Sequence, residues 1–307
     1  MTPSLEVDLC GVRLPTPVLA ASGCFGFGRE MSAFLDLAQV GAVVTKSVSL
    51  EPRRGRPTPR MAETPSGMLN AIGLQNPGVE AFCQGDLQLL GEAGARVVVS
   101  VVGRNAREFA RVAARLAGEP AVHLIEVNLS CPNVDSRGEV FATHPRMAAT
   151  VVRAVKRVAR QPVLAKLTAD VTDLVAVARA VMDAGADGLT LINTLLGMAV
   201  DVHRRRPKLA AVTGGLSGPA IRPVAVRCVW QVARAMPEAP IVGVGGVVTG
   251  EDAAELLLAG ATAVQVGTAN FINPRATAEV AEGLRAYLDS QRLTSLSELP
   301  ALLKADS

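Results

Sequence analysis

Aromatic residues make up only 3% of this 307-residue chain. Its core therefore has to be built from Val, Leu, Ala and Ile. An excess of charge of one sign is also lacking, with a net charge of only +3. The basic clusters Arg53-Arg54-Gly55-Arg56 and Arg204-Arg205-Arg206 have no interleaved aromatics. They read as solvated loop charge, which excludes nucleic acid as the expected partner. The five cysteines, at 10, 24, 83, 131 and 228, are odd in number and widely spaced. That excludes a disulfide framework and a CxxC metal site and points to a reducing, cytoplasmic compartment. No apolar run approaches the roughly 18 residues of a membrane-spanning helix, so no membrane association is expected. The start, MTPSLEVDLC, lacks a basic segment followed by an apolar one, so no signal peptide is expected.

What is present is a recurring junction. Gly-Ala follows an apolar helical segment and leads into a short β-branched run at Gly41-Ala42, Gly94-Ala95, Gly185-Ala186 and Gly260-Ala261. The Gly suits a helix C-terminus in the left-handed conformation, and the run that follows suits a buried parallel strand. Strands are predicted near 17–21, 42–46, 97–102, 123–128, 162–167, 188–192, 240–245 and 263–267. Helical patterns lie between them, one opened by Thr143 before Pro145, another by Thr172 and closed by Gly185. Eight strands alternating with helices predict an α/β fold, a (β/α)8 TIM barrel forming one domain over residues 1–307. Residues 5–14 predict a short N-terminal hairpin that closes the barrel bottom. The competing fold is an open dinucleotide-binding sheet. Its GxGxxG fingerprint is missing, because the first strand is followed by Gly23-Cys24-Phe25-Gly26-Phe27-Gly28, the wrong order.

Function in such a barrel lies at the C-terminal strand ends. Here those ends carry Lys46-Ser47, Ser100, Asn128 to Cys131, Lys166, Asn193-Thr194, Gly245-Gly246 and Gly267-Thr268. Gly245-Gly246 and Gly267-Thr268 follow strands seven and eight, where backbone N–H groups of many barrels hold phosphate. Ordinary turns that need left-handed residues are the plainer alternative. Only five of the 31 basic residues are Lys, and two of the five end strands. A compact ammonium kept where Arg is the rule suggests a charge needed inside. Beside a flavin it would hold negative charge on the reduced ring. Cys131 begins a long polar loop past strand four, and a thiolate there is a usable general base. The other four cysteines read as small buried hydrophobes. His123, His144 and His203 show no metal spacing, and His123 reads as a mid-strand core residue.

The runs Asn70-Ala71-Ile72-Gly73-Leu74-Gln75-Asn76, Asn128-Leu129-Ser130-Cys131-Pro132-Asn133, Asn193-Thr194, Gly215-Leu216-Ser217-Gly218 and Gly267-Thr268-Ala269-Asn270 together resemble the dihydroorotate dehydrogenase family over nearly the whole chain. The resemblance implies an FMN-binding (β/α)8 barrel that oxidises dihydroorotate to orotate in pyrimidine synthesis. It implies FMN contacts from Ser22, Lys46, Ser47, Asn128, Lys166, Ile192, Gly218, Gly245, Gly246, Gly267 and Thr268. Ser100 stands where Asn is expected, so a shorter hydroxyl would take over one flavin contact; Asn105 is a second candidate for that contact. Lys46, Asn70, Ala71, Ile72, Gly73, Leu74, Asn128, Asn193 and Thr194 would face the substrate. Orotate is a flat ring edged with N–H and C=O groups, and Asn offers both a donor and an acceptor to such an edge. Cys131 would take the C5 proton while hydride leaves C6 for the flavin.

A cysteine base resembles class 1, and the Ala71 to Asn76 run with the loop 133–145 resembles class 1B more than 1A. Class 1B implies a homodimer flanked by two partner subunits that carry FAD and an iron–sulfur cluster and reduce NAD. The chain has no second nucleotide fingerprint and no clustered cysteines of its own. The alternatives are a fumarate-dependent class 1A enzyme, a related flavin-dependent dihydropyrimidine dehydrogenase and a non-catalytic flavin-holding barrel.

Overall fold

The computed structural model describes residues 3–129 and 140–303. Eight parallel strands close into a barrel. They are β1 (Val18–Ala20), β2 (Val43–Val44), β3 (Val97–Val101), β4 (Leu124–Asn128), β5 (Val163–Leu167), β6 (Gly188–Leu191), β7 (Ile241–Val244) and β8 (Ala263–Val266). Each lies inside a span expected from the apolar runs.

Side chains alternate across a strand, so each strand serves two compartments. Val43, Val97, Val99, Ile125, Val127, Val163, Ala165, Val264 and Val266 point outward into one large core beneath the helices. Val44, Val98, Leu124, Leu164, Val242 and Ala263 point inward and fill the barrel bottom. The expected hairpin is present as antiparallel Val7–Leu9 and Val12–Leu14. Its fully buried Leu9 and Leu14 join that inner cluster, so the hairpin seals the bottom. Two residues further along the strands the lumen turns polar. Lys46 follows Val44, Ser100 follows Val98, Glu126 follows Leu124, Lys166 follows Leu164 and Gln265 follows Ala263.

Three of the four Gly-Ala glycines, Gly94, Gly185 and Gly260, take positive φ. Gly41 does not; there the lack of a Cβ admits the carbonyl oxygens of Thr16 and Val18. The first helix is reduced to two 3-10 turns, Met31–Ala33 and Leu37–Gln39. Two expected caps sit one residue away. Asp173, not Thr172, accepts the Ala176 N–H at 2.9 Å to open helix Leu174–Asp183. His144 is the N-cap of helix Pro145–Lys156, with Pro145 in its first turn, while Thr143 donates its hydroxyl to the Val140 carbonyl. His123 precedes β4 and is half-buried; burial lowers its pKa, and its Nδ1 accepts the Val97 N–H at 3.1 Å.

Nothing in the sequence pattern predicted a second sheet. A four-stranded antiparallel sheet is assembled from two barrel loops, in the order Leu195–Met198, Thr213–Ser217, Gly67–Asn70 and Met61–Thr64. It grows from the loops after β2 and β6, so it stands at the C-terminal mouth.

Candidate active site

The polar strand ends converge on that mouth and touch in sequence around it. Ser47 and Ser100 share a hydroxyl hydrogen bond of 2.9 Å. Asn128 donates its amide to Ser47 Oγ at 3.2 Å, and Asn193 donates to Asn128 Oδ1 at 3.2 Å. The Thr194 backbone N–H then donates to Asn193 Oδ1 at 2.8 Å. Four strands thus contribute to one hydrogen-bonded run. Each Asn spends part of its capacity on its neighbour and keeps the rest for a ligand. Asn128 and Lys166 lie opposite each other in the β4–β5 register.

Ser100 is fully enclosed, and its hydroxyl is spent on Ser47. It stands one layer behind the mouth and orients Ser47. Asn105 takes no part; its side chain caps helix Ala106–Leu116 by accepting the Glu108 N–H at 3.0 Å.

The lumen holds a group that sequence reasoning missed. Glu126 is completely buried, with Lys166 Nζ 3.3 Å from its Oε1 and Gln265 donating to its Oε2 at 3.0 Å. A glutamate inside the apolar run Leu124-Ile-Glu-Val was the available signal. Breaking one partner of such a buried pair costs about 3–5 kcal/mol, because the other is left uncompensated. Thr190, opposite Lys166 in the β5–β6 register, and Gln265 each keep a buried oxygen with no hydrogen-bond partner. The middle of the barrel therefore has polar capacity to spare.

Lys46 and Lys166 both act on Cys24. Burial pushes the Cys24 thiol up to about 11, although the two ammonium groups pull it the other way. Cys24 is thus a neutral thiol at the mouth. Ser22 and Gly23 end β1 beside it, and a Cβ on Gly23 would lie 3.6 Å from Lys46 Nζ. A Cβ on Gly267 would lie 3.6 Å from Cys24 Sγ.

Gly245-Gly246 and Gly267-Thr268 form the other side of the ring. Gly245 and Gly246 both have positive φ, 141° and 77°. A Cβ on Gly246 would lie 2.6 Å from Arg222 Cβ and 3.0 Å from the Gly218 carbonyl oxygen, so only backbone fits there. Thr268 donates to Ser217 Oγ at 2.8 Å and ties β8 to the same Gly215–Gly218 segment. Ile192 is buried, and its N–H reaches the Val244 carbonyl at 3.0 Å.

The second sheet brings in the remaining residues. Asn70 ends one of its strands and donates to the Gly215 carbonyl at 3.3 Å. A Cβ on Gly215 would land on the Thr194 hydroxyl, so this glycine is what lets the sheet close against the amide run. Ala71 is buried beside Leu69 and Leu209. Gly73 and Leu74 take positive φ, and Ile72 accepts the Arg56 N–H at 2.9 Å. Buried Asn76 locks this turn. It accepts the Ser49 and Gly78 N–H groups and donates to the Leu74 carbonyl and Ser49 Oγ.

Cys131 lies outside the described residues, as does most of its loop. Among the described residues no cluster of His, Cys, Asp or Glu is placed to hold a metal, and no helix is long and apolar enough to cross a membrane.

The family model for dihydroorotate dehydrogenase matches residues 4–288. The catalytic subunit of dihydroorotate dehydrogenase B (NAD(+)) from Alkaliphilus oremlandii is 54% identical over 296 residues, 96% of this chain and 97% of that one. The catalytic subunit of the same name from Citrifermentans bemidjiense is 51% identical over 302 residues, 98% and 99% of the two chains. That from Pelobacter propionicus is 50% identical over 304 residues, 99% of this chain and 100% of that one.

Proposed function

The chain belongs to the dihydroorotate dehydrogenase family, and from that premise we propose that it is a class 1B catalytic subunit that oxidises dihydroorotate to orotate in pyrimidine synthesis. The observation that carries this reading is the unbroken run Ser47, Asn128, Asn193 and Thr194, set beside Lys46 and Lys166.

The donor set fits FMN. Gly245, Gly246 and Gly267 offer backbone without side-chain bulk for its phosphate, with Thr268 next to them, as in many barrels. Ser22, Lys46, Ser47, Asn128, Lys166, Ile192 and Gly218 would border the rest of the cofactor, with Ser100 behind Ser47. FMN supplies a two-electron acceptor for the hydride lost by the substrate ring. The chain's own residues do the remaining work. Asn70, Asn128, Asn193 and Thr194 match the alternating N–H and C=O edge of the ring. Lys46 opposes the substrate carboxylate, and Ala71 to Leu74 form the wall that the Asn76 lock holds in place. Cys131 is the group assigned to take the C5 proton.

The electrons then need an exit. The relatives are catalytic subunits of an enzyme whose name includes NAD(+), and this chain carries no nucleotide fingerprint besides the barrel mouth. We assign the exit to a separate subunit with FAD and an iron–sulfur cluster, two of which flank a homodimer of this chain in the cytoplasm.

An anaerobic spectrum of the purified chain tests the reading. Its flavin absorption should bleach on addition of dihydroorotate and not of dihydrouracil. The bleached chain alone should reduce artificial dyes, NAD only after its partner is added, and fumarate poorly. A chain unaffected by dihydroorotate, or one that reduces fumarate briskly, overturns the assignment.

A further inference from the structure

We propose that Glu126 is a positioning residue that holds Lys166 at the barrel mouth and offsets its charge, so that the redox balance of the bound flavin is set by the pair and not by Lys166 alone. This rests on the FMN reading above.

On sequence grounds Lys166 is simply a cation beside the reduced ring. The geometry adds an opposing charge. Glu126 enters from β4 and Lys166 from the neighbouring β5. The carboxylate has no exposure to solvent, and the Lys166 side chain has only 7%. Solvent therefore screens neither charge well, and each is felt over a longer range than a surface charge. Gln265, from β8 across the lumen, donates to the second carboxylate oxygen and fixes its direction. Both carboxylate oxygens are engaged, one toward β5 and one toward β8. Asn128, two residues beyond Glu126 on β4, pairs with Lys166 on β5, so Glu126 stems from a deeper level of the barrel than Lys166 does.

Such a pair has a definite consequence for a ring that gains negative charge on reduction. Lys166 favours the reduced form; Glu126, deeper and opposite in sign, opposes it. Removing the carboxylate charge should therefore tip the bound flavin toward reduction. A Glu126 that served packing alone would leave that balance where it was. Neither the substrate nor Cys131 enters this balance.

The test is equilibrium of the flavin-loaded chain with a redox dye under anaerobic conditions, read by absorbance, with no dihydroorotate present. Glu126→Gln should raise the reduced-to-oxidised flavin ratio at a fixed dye ratio by about tenfold, the scale of one poorly screened charge. Glu126→Asp, which keeps the charge, should bring the ratio back toward that of the unmodified chain. Gln265→Leu, which removes no charge, should shift it by less than Glu126→Gln does. An unchanged ratio in Glu126→Gln, or a shift toward oxidised flavin, overturns the proposal. If Glu126→Gln alone does not fold because the Lys166 charge loses its counterion, the neutral pair Glu126→Gln with Lys166→Met is compared with Lys166→Met. The double variant should hold more reduced flavin, and equal ratios overturn the proposal. A chain that takes up no flavin overturns both this inference and the cofactor reading. A flavin that bleaches with dihydroorotate yet titrates identically in Glu126→Gln overturns this inference alone.

Discussion

Cys24 stands at the mouth, and physical chemistry sets it apart from the Cys131 proposed as the base. Cys24 sits between Lys46, Lys166 and Gly267, where burial lifts its thiol to about 11. It stays protonated near neutral pH and is unsuited to take a proton from a carbon. Cys24 is thus no rival to Cys131 for the proposed general base. Cys131→Ala should slow flavin reduction by dihydroorotate by at least about 100-fold, the usual scale for loss of a general base, with FMN still bound. Stopped-flow absorbance measures this, and near-normal reduction would return the role to another group. At this scale the sequence was readable where a polar residue ended an apolar strand: Lys46, Asn128, Lys166 and Asn193 all stand out that way. Glu126 did not, because it sits mid-strand and its meaning depends on partners 40 and 139 residues away. Ser100 was placed on the right strand, but only its enclosure reveals that it serves Ser47.

The barrel strands were legible because buried parallel strands are nearly continuous β-branched runs. Helix starts were less so. Thr172 and Asp173 are both competent caps, and only the backbone path decides that Asp173 reaches the Ala176 N–H. The four-stranded sheet was illegible. Its strands, such as Gly67-Met-Leu-Asn70 and Thr213-Gly-Gly-Leu-Ser217, are short and glycine-bearing, with no β-branched run. They pair across about 145 residues of chain, as Asn70 with Gly215. The motifs inside them are visible in the sequence; the sheet they form is not. That sheet is what sets Asn70 beside Gly215, and Gly215 packs against Thr194. Gly215→Ala should therefore weaken orotate binding by about tenfold or more through displacement of Thr194, on the scale of a lost hydrogen bond to a charged or polar group. Flavin retention should hardly change. Titration of the flavin spectrum with orotate reads both; unaltered affinity would mean that the sheet does not position the amide run.

Over the whole molecule, the buried thiols of Cys83 and Cys228 and the partly buried one of Cys10 couple stability to alkaline pH. Burial raises Cys10 to about 12 and Cys83 to about 11, from an ordinary value of 9.0, and raises Cys228 as well. Each folded thiol keeps its proton where the unfolded one loses it. Their contribution is complete below about pH 9 and is lost as pH climbs through 11. Urea midpoints should fall between pH 8.5 and 10.5, and less steeply in Cys83→Ala than in the unmodified chain. Parallel curves for the two would remove Cys83 from the account.

The hairpin at the barrel bottom has a consequence for traffic. With Leu9 and Leu14 seated among Leu19, Val44, Val98, Leu124, Leu164 and Val242, the lumen is a blind shaft. Among the described residues, the mouth is what remains as a way for water, ions and buffer acids to reach Glu126 and Lys166, and it is the side on which the proposed ligands would enter. Any molecule lodged in that doorway corks the shaft. The polar layer below then trades protons with the outside only at the pace at which its visitors come and go.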